Sequence, residues 1–156
     1  MFVARIGFWR QSYAIVLGIC CALPIAIAAF TFVYGRGYSY MSDNPEVCAN
    51  CHVMRDQLKG WQVGDHHHVA TCNDCHTPKS FVGKYWTKAL NGYHHSLAFT
   101  LGNFHEPIKI KSHNLAITEA SCQHCHEPVK HSIMSVNDEV TGRNCTHCHR
   151  STGHGY

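Results

Sequence analysis

The longest apolar run of the chain lies near its N-terminus. No charged residue occurs between Arg10 and Arg36, and the stretch from Tyr13 to Tyr34 is almost wholly apolar. A helix needs about 20 apolar residues to cross the hydrocarbon layer, whereas the apolar part of a cleaved signal peptide has only about 7–15. The pattern therefore predicts an uncleaved signal anchor, a transmembrane helix within residues 1–35.

The charges beside this run predict its orientation. Arg5 and Arg10 lie on its N-terminal side, and basic residues next to a span favour the cytoplasmic face. We therefore expect a single-pass protein of the cytoplasmic (inner) membrane, with its N-terminus in the cytoplasm and residues 36–156 in the periplasm.

A second pattern, in the middle of the chain, has the period of a helix. Between Phe81 and Leu101, apolar or aromatic residues recur about every four positions, which predicts an amphipathic helix. One interpretation is a packing brace over bound cofactors. The other is that polar residues of this helix line a site near the membrane surface, namely Lys84, Lys88, Asn91, His94 and His95. Periodicity alone favours the brace.

The composition then adds chemistry to these elements. The chain has 15 His and 10 Cys, and 15% of its residues are charged, against about 25% in typical proteins. Outside the apolar run every cysteine belongs to a Cys-x-x-Cys-His motif, and the motif occurs four times. The eight cysteines are Cys48, Cys51, Cys72, Cys75, Cys122, Cys125, Cys145 and Cys148.

The motif is that of covalent haem attachment. Its two thiols form thioethers with the haem vinyl groups, and the adjacent histidine can bind the iron. A zinc ribbon gives no reason for a histidine after every second cysteine, and neither a thioredoxin-like site nor disulfides need four identical motifs. The sequence thus predicts four haem c groups, and its net charge of +3 gives no sign of nucleic-acid binding.

These observations predict the fold class. A domain of this length that surrounds four large flat cofactors must use the macrocycles as much of its core. We expect a mainly α fold with much irregular structure, in which one transmembrane helix precedes a compact tetrahaem domain without significant sheet.

Several residues beyond the motifs are candidate iron ligands. The histidines at 66–68 lie just before Cys72, and His154 follows the last motif closely. Met54 is either a packing residue against porphyrin or a thioether ligand, which would raise the haem potential.

With these residues assembled, the chain resembles the NapC/NirT family of membrane-anchored tetrahaem quinol dehydrogenases, and within it the small subunits of cytochrome c nitrite reductase. The resemblance covers nearly the whole chain. It rests on the anchor, the four motifs, the Cys51–Met54 segment CHVM, the Lys88–Thr100 segment KALNGYHHSLAFT, and the closing Cys-His-Arg with His154 following.

The resemblance implies a quinol site at the first haem. There Met54, rather than His52, is the implied iron ligand, and the other face of the haem stays open beside the quinol. Lys88, Asn91 and His95 are the implied quinol-site residues. His95 stands where some members carry an acidic residue, so it is also a candidate ligand that would close the site.

The resemblance also implies the remaining ligands and the partner. His76 pairs with His154 at the second haem, and His126 pairs with His66 or His67 at the third. At the fourth haem His149 is joined by a lysine from a catalytic subunit.

The implied function is to take electrons from menaquinol in the bilayer and pass them to a periplasmic reductase that converts nitrite to ammonia. Delivery to another reductase, such as a nitrate reductase, is one alternative. A tethered electron carrier without a quinol site is another.

Overall fold

The computed structural model describes residues 2–129 and 144–155, with side chains from Arg10 onward. The chain divides into two compact units, one ending at Tyr38 and the other beginning at Ser39.

The first unit is dominated by helix α1, which runs from Phe2 to Tyr34 and contains Pro24. Its segment Arg10–Tyr34 is 25 residues long, and the most apolar 18 residues within it have a mean hydropathy of 2.5 and are not buried. In the described part of the chain this is the one helix long and apolar enough to cross a membrane. The single apolar span predicted from the sequence is therefore present as a continuous helix.

The second unit consists of short helices joined by irregular segments. Two 3-10 turns occur at Gly37–Met41, where the units meet in sequence, and at His52–Met54. The α-helices are α2 Pro45–Cys48, α3 Arg55–Val63, α4 Cys72–His76, α5 Phe81–Leu101, α6 Ser112–Cys125 and a final helix Cys145–Cys148. No strand occurs among the described residues, so the predicted mainly α fold without significant sheet is confirmed there.

Local sequence signals explain where the main helices begin and end. The side chain of Ser80 accepts a hydrogen bond from the Gly83 N–H at the start of α5, and Gly102 ends that helix in the left-handed region, with φ of 65°. At the start of α4, Thr71 and Asp74 form a capping box. Hydrogen bonds from Thr71, with an ion pair to Lys79, lower the pKa of Asp74 to about 2.

The packing of the helices places the motifs in a series. Helix α2 packs on α4, α4 packs on α6, and α6 packs on the final helix. Because each of these helices carries one Cys-x-x-Cys-His motif or its first cysteine, successive motifs along the sequence are also neighbours in space.

The domain has little apolar core of its own. Among the described residues no hydrophobic side chain is buried, and the buried side chains are Thr77, Thr87, Lys88, Glu119 and Ser121. A small domain needs a substantial apolar interior or a prosthetic group to be stable. This polypeptide therefore has the burial pattern of a domain that is completed by large cofactors.

Candidate electron-transfer site

Three of the four motifs share one local geometry. In each, the two cysteines lie three residues apart on one side of a helix, and the histidine is at or just beyond the helix end. The second motif is α4 itself, while the third and fourth have His126 and His149 as C-cap residues. A single haem can therefore meet both cysteines and the following imidazole of each motif.

The first motif has a different geometry. Helix α2 ends at Cys48, and the chain turns before Cys51. His52 is exposed at the start of the 3-10 turn, whereas Met54 is half-buried at its end. The structure thus turns the motif histidine outward and Met54 inward.

Contacts between cysteines follow the order of the motifs. The thiols of Cys48 and Cys72 share a hydrogen bond, which joins the first motif to the second. Burial raises the pKa of Cys122 to about 11, and the nearby thiol of Cys145 contributes to this shift. The first and second motifs are therefore neighbours, as are the third and fourth.

The structure brings His76 and His154 together. Their ring centres are 6.0 Å apart, with 32° between the ring planes. The Nδ1 atom of His154 lies 3.1 Å from the Gln57 carbonyl oxygen, a hydrogen bond that leaves Nε2 available to bind a metal. Burial, followed by the charge of His154, lowers the pKa of His76 and favours the neutral ring that iron requires.

A second pair is formed by His66 and His126, whose ring centres are also 6.0 Å apart. His67 points elsewhere, since its Nδ1 is 3.0 Å from the Gly64 carbonyl oxygen and its ring meets Trp61 edge-on. Of the two alternatives left by the sequence, the structure therefore brings His66 to His126.

The spacing of these pairs fits haem iron. Two imidazoles on opposite sides of one metal ion, each at about 2.0–2.1 Å from it, have ring centres about 6 Å apart. Within the described chain, the buried Nδ1 of His66 has no hydrogen-bond partner, which is costly unless another group satisfies it. The two histidine pairs thus fit six-coordinate iron.

His149 is placed differently from His76 and His126. It is exposed at the C-cap of the final helix, as His126 is at the end of α6. Unlike His76 and His126, it makes no ring contact with a second histidine in the described ranges 2–129 and 144–155. The protein side chains described here therefore offer one histidine, rather than a pair, at the fourth motif.

Helix α5 brings Lys88 to the first motif. The Lys88 ammonium is 2.8 Å from the Ser42 carbonyl oxygen and 3.1 Å from Asp43 Oδ1. A hydrogen bond with Cys72 lowers the pKa of Cys48, and the charge of Lys88 lowers it further, so this ammonium lies close to the first haem attachment.

Asp43 connects helix α5 to the segment before the first motif through its hydrogen bonds. Its carboxylate accepts hydrogen bonds from Lys84 at 2.6 Å, from Lys88, and from Asn73 Nδ2 at 2.7 Å. The two lysine contacts hold the pKa of Asp43 below its usual value. Asp43 therefore fixes α5 against the segment before the first motif.

His95 reaches the same motif through Tyr40. The Tyr40 hydroxyl is 3.0 Å from His95 Nδ1. Burial raises the pKa of Tyr40 to about 12, with contributions from Cys51 and Cys48, which places this pair beside the first haem attachment. Asn91, also on α5, accepts a hydrogen bond from Asn114 at 3.0 Å and so contacts α6 instead.

Sequence reasoning missed four residues that shape the site: Tyr40, Asp43, Gly60 and Glu119. The first two precede the first motif but have no local pattern that marks their contacts with α5. Gly60 is buried inside α3, and a Cβ atom there would collide with the backbone carbonyl of His154. A glycine in a helix interior is the one signal that the sequence offers.

Glu119 holds the fourth motif in place. Its buried carboxylate accepts hydrogen bonds from the backbone N–H groups of Cys145 at 2.7 Å and Thr146 at 3.0 Å. It thus caps the final helix from α6.

We expect Glu119→Ala to destabilise the fourth haem site. The change leaves two N–H groups of the final helix without their acceptor, at a cost of about 1–3 kcal/mol. Intact-mass analysis should show a fraction of molecules with fewer haems, and thermal unfolding should begin earlier. The exposed Asp56→Ala on α3 is the matched control, and equal behaviour of the two variants would refute the capping role.

Taken together, the apolar helix, the mainly helical domain and the Cys-x-x-Cys-His motifs with facing histidines define a membrane-anchored c-type cytochrome. Residues 10–156 match the model of the NapC/NirT cytochrome c family, N-terminal region. The chain belongs to this family.

Two similar proteins illustrate the relationship. The cytochrome c-type protein NrfH of Wolinella succinogenes is 37% identical over 118 residues, which cover 72% of this chain and 67% of that protein. A chain in the crystal structure of the cytochrome c nitrite reductase NrfHA complex bound to the HQNO inhibitor is 27% identical, with a TM-score of 0.62 and 90% of each chain covered.

Proposed function

We propose that this chain is the quinol dehydrogenase subunit of a cytochrome c nitrite reductase complex. It accepts electrons from menaquinol and passes them through four haem c groups to a catalytic subunit that reduces nitrite to ammonia. The observation that carries the proposal is that Lys88 and His95 of α5 lie beside the first Cys-x-x-Cys-His motif. The four motifs follow one another in space in the same order as in the sequence. The similarity to NrfH and to a chain of the NrfHA complex supports it.

The side chains that the fold brings together support the proposed iron ligands. Met54 serves the first haem, because it is half-buried where His52 is exposed. The histidine pairs serve the next two haems, His76 with His154 and His126 with His66. The haems, when bound, supply iron centres that gain and lose one electron at a time.

Lys88 orients the quinol at the first haem. An ammonium has three N–H donors, and the contacts with Ser42 and Asp43 use two of them. The third can bind the quinol oxygen, so Lys88 positions the hydroxyl that must lose a proton. Asn91 of α5 is instead engaged by Asn114 of α6, so its role at the quinol would be to hold the helix in place.

His95 holds a proton acceptor on the same side of the helix. Its Nδ1 is engaged by Tyr40, which fixes the ring and leaves Nε2 toward the site. Oxidation of one quinol releases two electrons, which leave singly along the haems, and two protons, which pass to periplasmic water. Ligation of the first iron by Nε2 would instead close this site, and spin-state spectroscopy of that haem separates the two arrangements.

In the proposed topology, the haem domain and the catalytic subunit lie on the same side of the membrane. Arg5 and Arg10 keep the N-terminus in the cytoplasm, so the haem domain is periplasmic. The exposed His149 faces the catalytic subunit, which donates a lysine to the fourth iron. That haem should then be high-spin in the isolated chain and low-spin in the complex, and a low-spin fourth haem in both would refute the shared ligand.

The experiment uses the full chain with its haems, reconstituted with the catalytic subunit in liposomes that contain a menaquinol analogue. We expect an intact mass that exceeds the polypeptide by four haem groups, and nitrite loss that depends on quinol and is blocked by HQNO. A preparation that reduces nitrite with dithionite but never with quinol would identify a tethered carrier without a quinol site.

A further inference from the structure

Helix α5 buries its polar side against the domain and exposes its apolar side, whereas a helix of a water-soluble protein usually does the reverse. Its buried residues are Thr87 and Lys88, which are 3% and 6% exposed. Its apolar side points away from the described protein. The exposed side chains are Val82, Trp86, Tyr93 and Leu97, with 77%, 69%, 63% and 42% of their surfaces accessible.

These four residues, the apolar stripe, form one continuous face. They are separated by steps of four, seven and four residues, which return to the same side of an α-helix. Lys84, Lys88 and His95 lie on the opposite side, where they contact Asp43 and Tyr40. The first motif lies on that polar side, next to Tyr40 and Lys88, and not on the side of the apolar stripe.

The covalent chain limits how far α5 can lie from the bilayer. The apolar span ends at Tyr34, and six residues further on, Tyr40 contacts α5. Its hydroxyl meets His95, and its ring lies 3.6 Å from the position of a Cβ at Gly92. Six extended residues reach at most about 22 Å, so the chain itself keeps the Cα atom of Tyr40 within that distance of the Cα atom of Tyr34.

The composition of α5 suits a lipid surface. Trp86 and Tyr93 are the residue types enriched at membrane interfaces, and α5 contains no Asp or Glu. Exposed Trp and Phe with basic residues at the flanks are typical of helices that lie in the interface plane. A water-exposed stripe of this kind would otherwise be unusual in a monomeric soluble domain.

We propose that the apolar stripe of α5 lies in the headgroup region of the bilayer, parallel to its surface. The two sides of the helix then have separate tasks: the stripe contacts lipid, and the polar side carries Lys88 and His95 to the first haem at the level where a quinol head group leaves the hydrocarbon. The role of the polar side at the first haem rests on the proposed quinol oxidation, whereas the contact of the apolar stripe with lipid does not.

Lipid-borne photolabelling tests the contact directly. The holoprotein is reconstituted in phosphatidylethanolamine and phosphatidylglycerol vesicles that contain a phospholipid with a diazirine close to its headgroup. After irradiation, peptide mass spectrometry should find label on Trp86 and Tyr93 as well as on the ends of the span. Val69, which is 80% exposed outside α5, should remain at background.

The same vesicles with the catalytic subunit bound separate lipid from a protein partner. Label on the apolar stripe should persist in the complex and be lost in a Trp86→Ser, Tyr93→Ser double variant whose haem content and span labelling are unchanged. A labelled span with an unlabelled stripe, or a stripe protected by the catalytic subunit or by self-association, would overturn the proposal. Loss of quinol oxidation with normal labelling would count only against the quinol function.

Discussion

Replacing Lys88 with alanine is expected to lower the rate of quinol oxidation by about 10²-fold or more, because the quinol hydroxyl loses the group that positions it at the haem edge. The four haems should remain attached and should still be reduced by dithionite. Stopped-flow reduction of the haems by a menaquinol analogue in liposomes measures the effect. The variant tests electron entry and leaves the rest of the haem series unchanged.

Two further variants separate quinol binding from the structural contact of Lys88 with Asp43. Lys84→Ala removes the other ion pair to the same carboxylate, which lies at 2.6 Å, and should oxidise quinol at close to the wild-type rate. Asp43→Ala removes the partner but retains the Lys88 ammonium, so it should have a smaller effect than Lys88→Ala. If Lys88→Ala matches wild type, or if Asp43→Ala is equally inactive, Lys88 is a structural residue and not a quinol ligand.

Gly60→Ala is expected to displace His154 from the second haem. The added methyl group would collide with the His154 backbone carbonyl, and overpacking of this kind costs about 1–3 kcal/mol when the neighbours can shift. The segment that carries His154 is the part that can shift, because it follows the last motif. Electron paramagnetic resonance should show that one bis-histidine low-spin signal is lost or altered, and electron transfer to the catalytic subunit should slow accordingly.

Gly153→Ala provides the matched control for this prediction. It adds the same methyl group next to His154, but no atom lies within 4 Å of the new Cβ position. Its spectrum should therefore be that of the wild type. A Gly60→Ala protein with an unchanged low-spin signal would show that His154 does not depend on this close approach, or that it is not the ligand.

The sequence by itself determined the features that depend on one short, continuous stretch of residues. The apolar span depends on the length and composition of one run. Helix α5 has the same bounds, Phe81–Leu101, in the prediction and in the structure, because its period and its Ser80 and Gly102 signals are local. The motifs likewise need only a cysteine pair and the next histidine, and together with the KALNGYHHSLAFT segment they indicated the family.

The orientation of α5 was not predictable in the same way. Its periodicity favoured a packing brace over bound cofactors. The structure adds that the polar side packs on the protein chain and that the apolar stripe is exposed. A helical period shows that two faces differ, but it does not show which medium each face meets. That depends on Asp43 and Tyr40, which lie about fifty residues earlier in the chain.

Only the tertiary structure decided which side chains meet. His66 and His67 are adjacent and chemically identical, yet one ring faces His126 and the other turns to Trp61. The contact of His154 with Gln57 joins residues 97 positions apart. Adjacent side chains leave the backbone in different directions, and distant ones approach only when the path of the chain is fixed, so the pairing of ligands is a property of the folded packing and not of the local sequence.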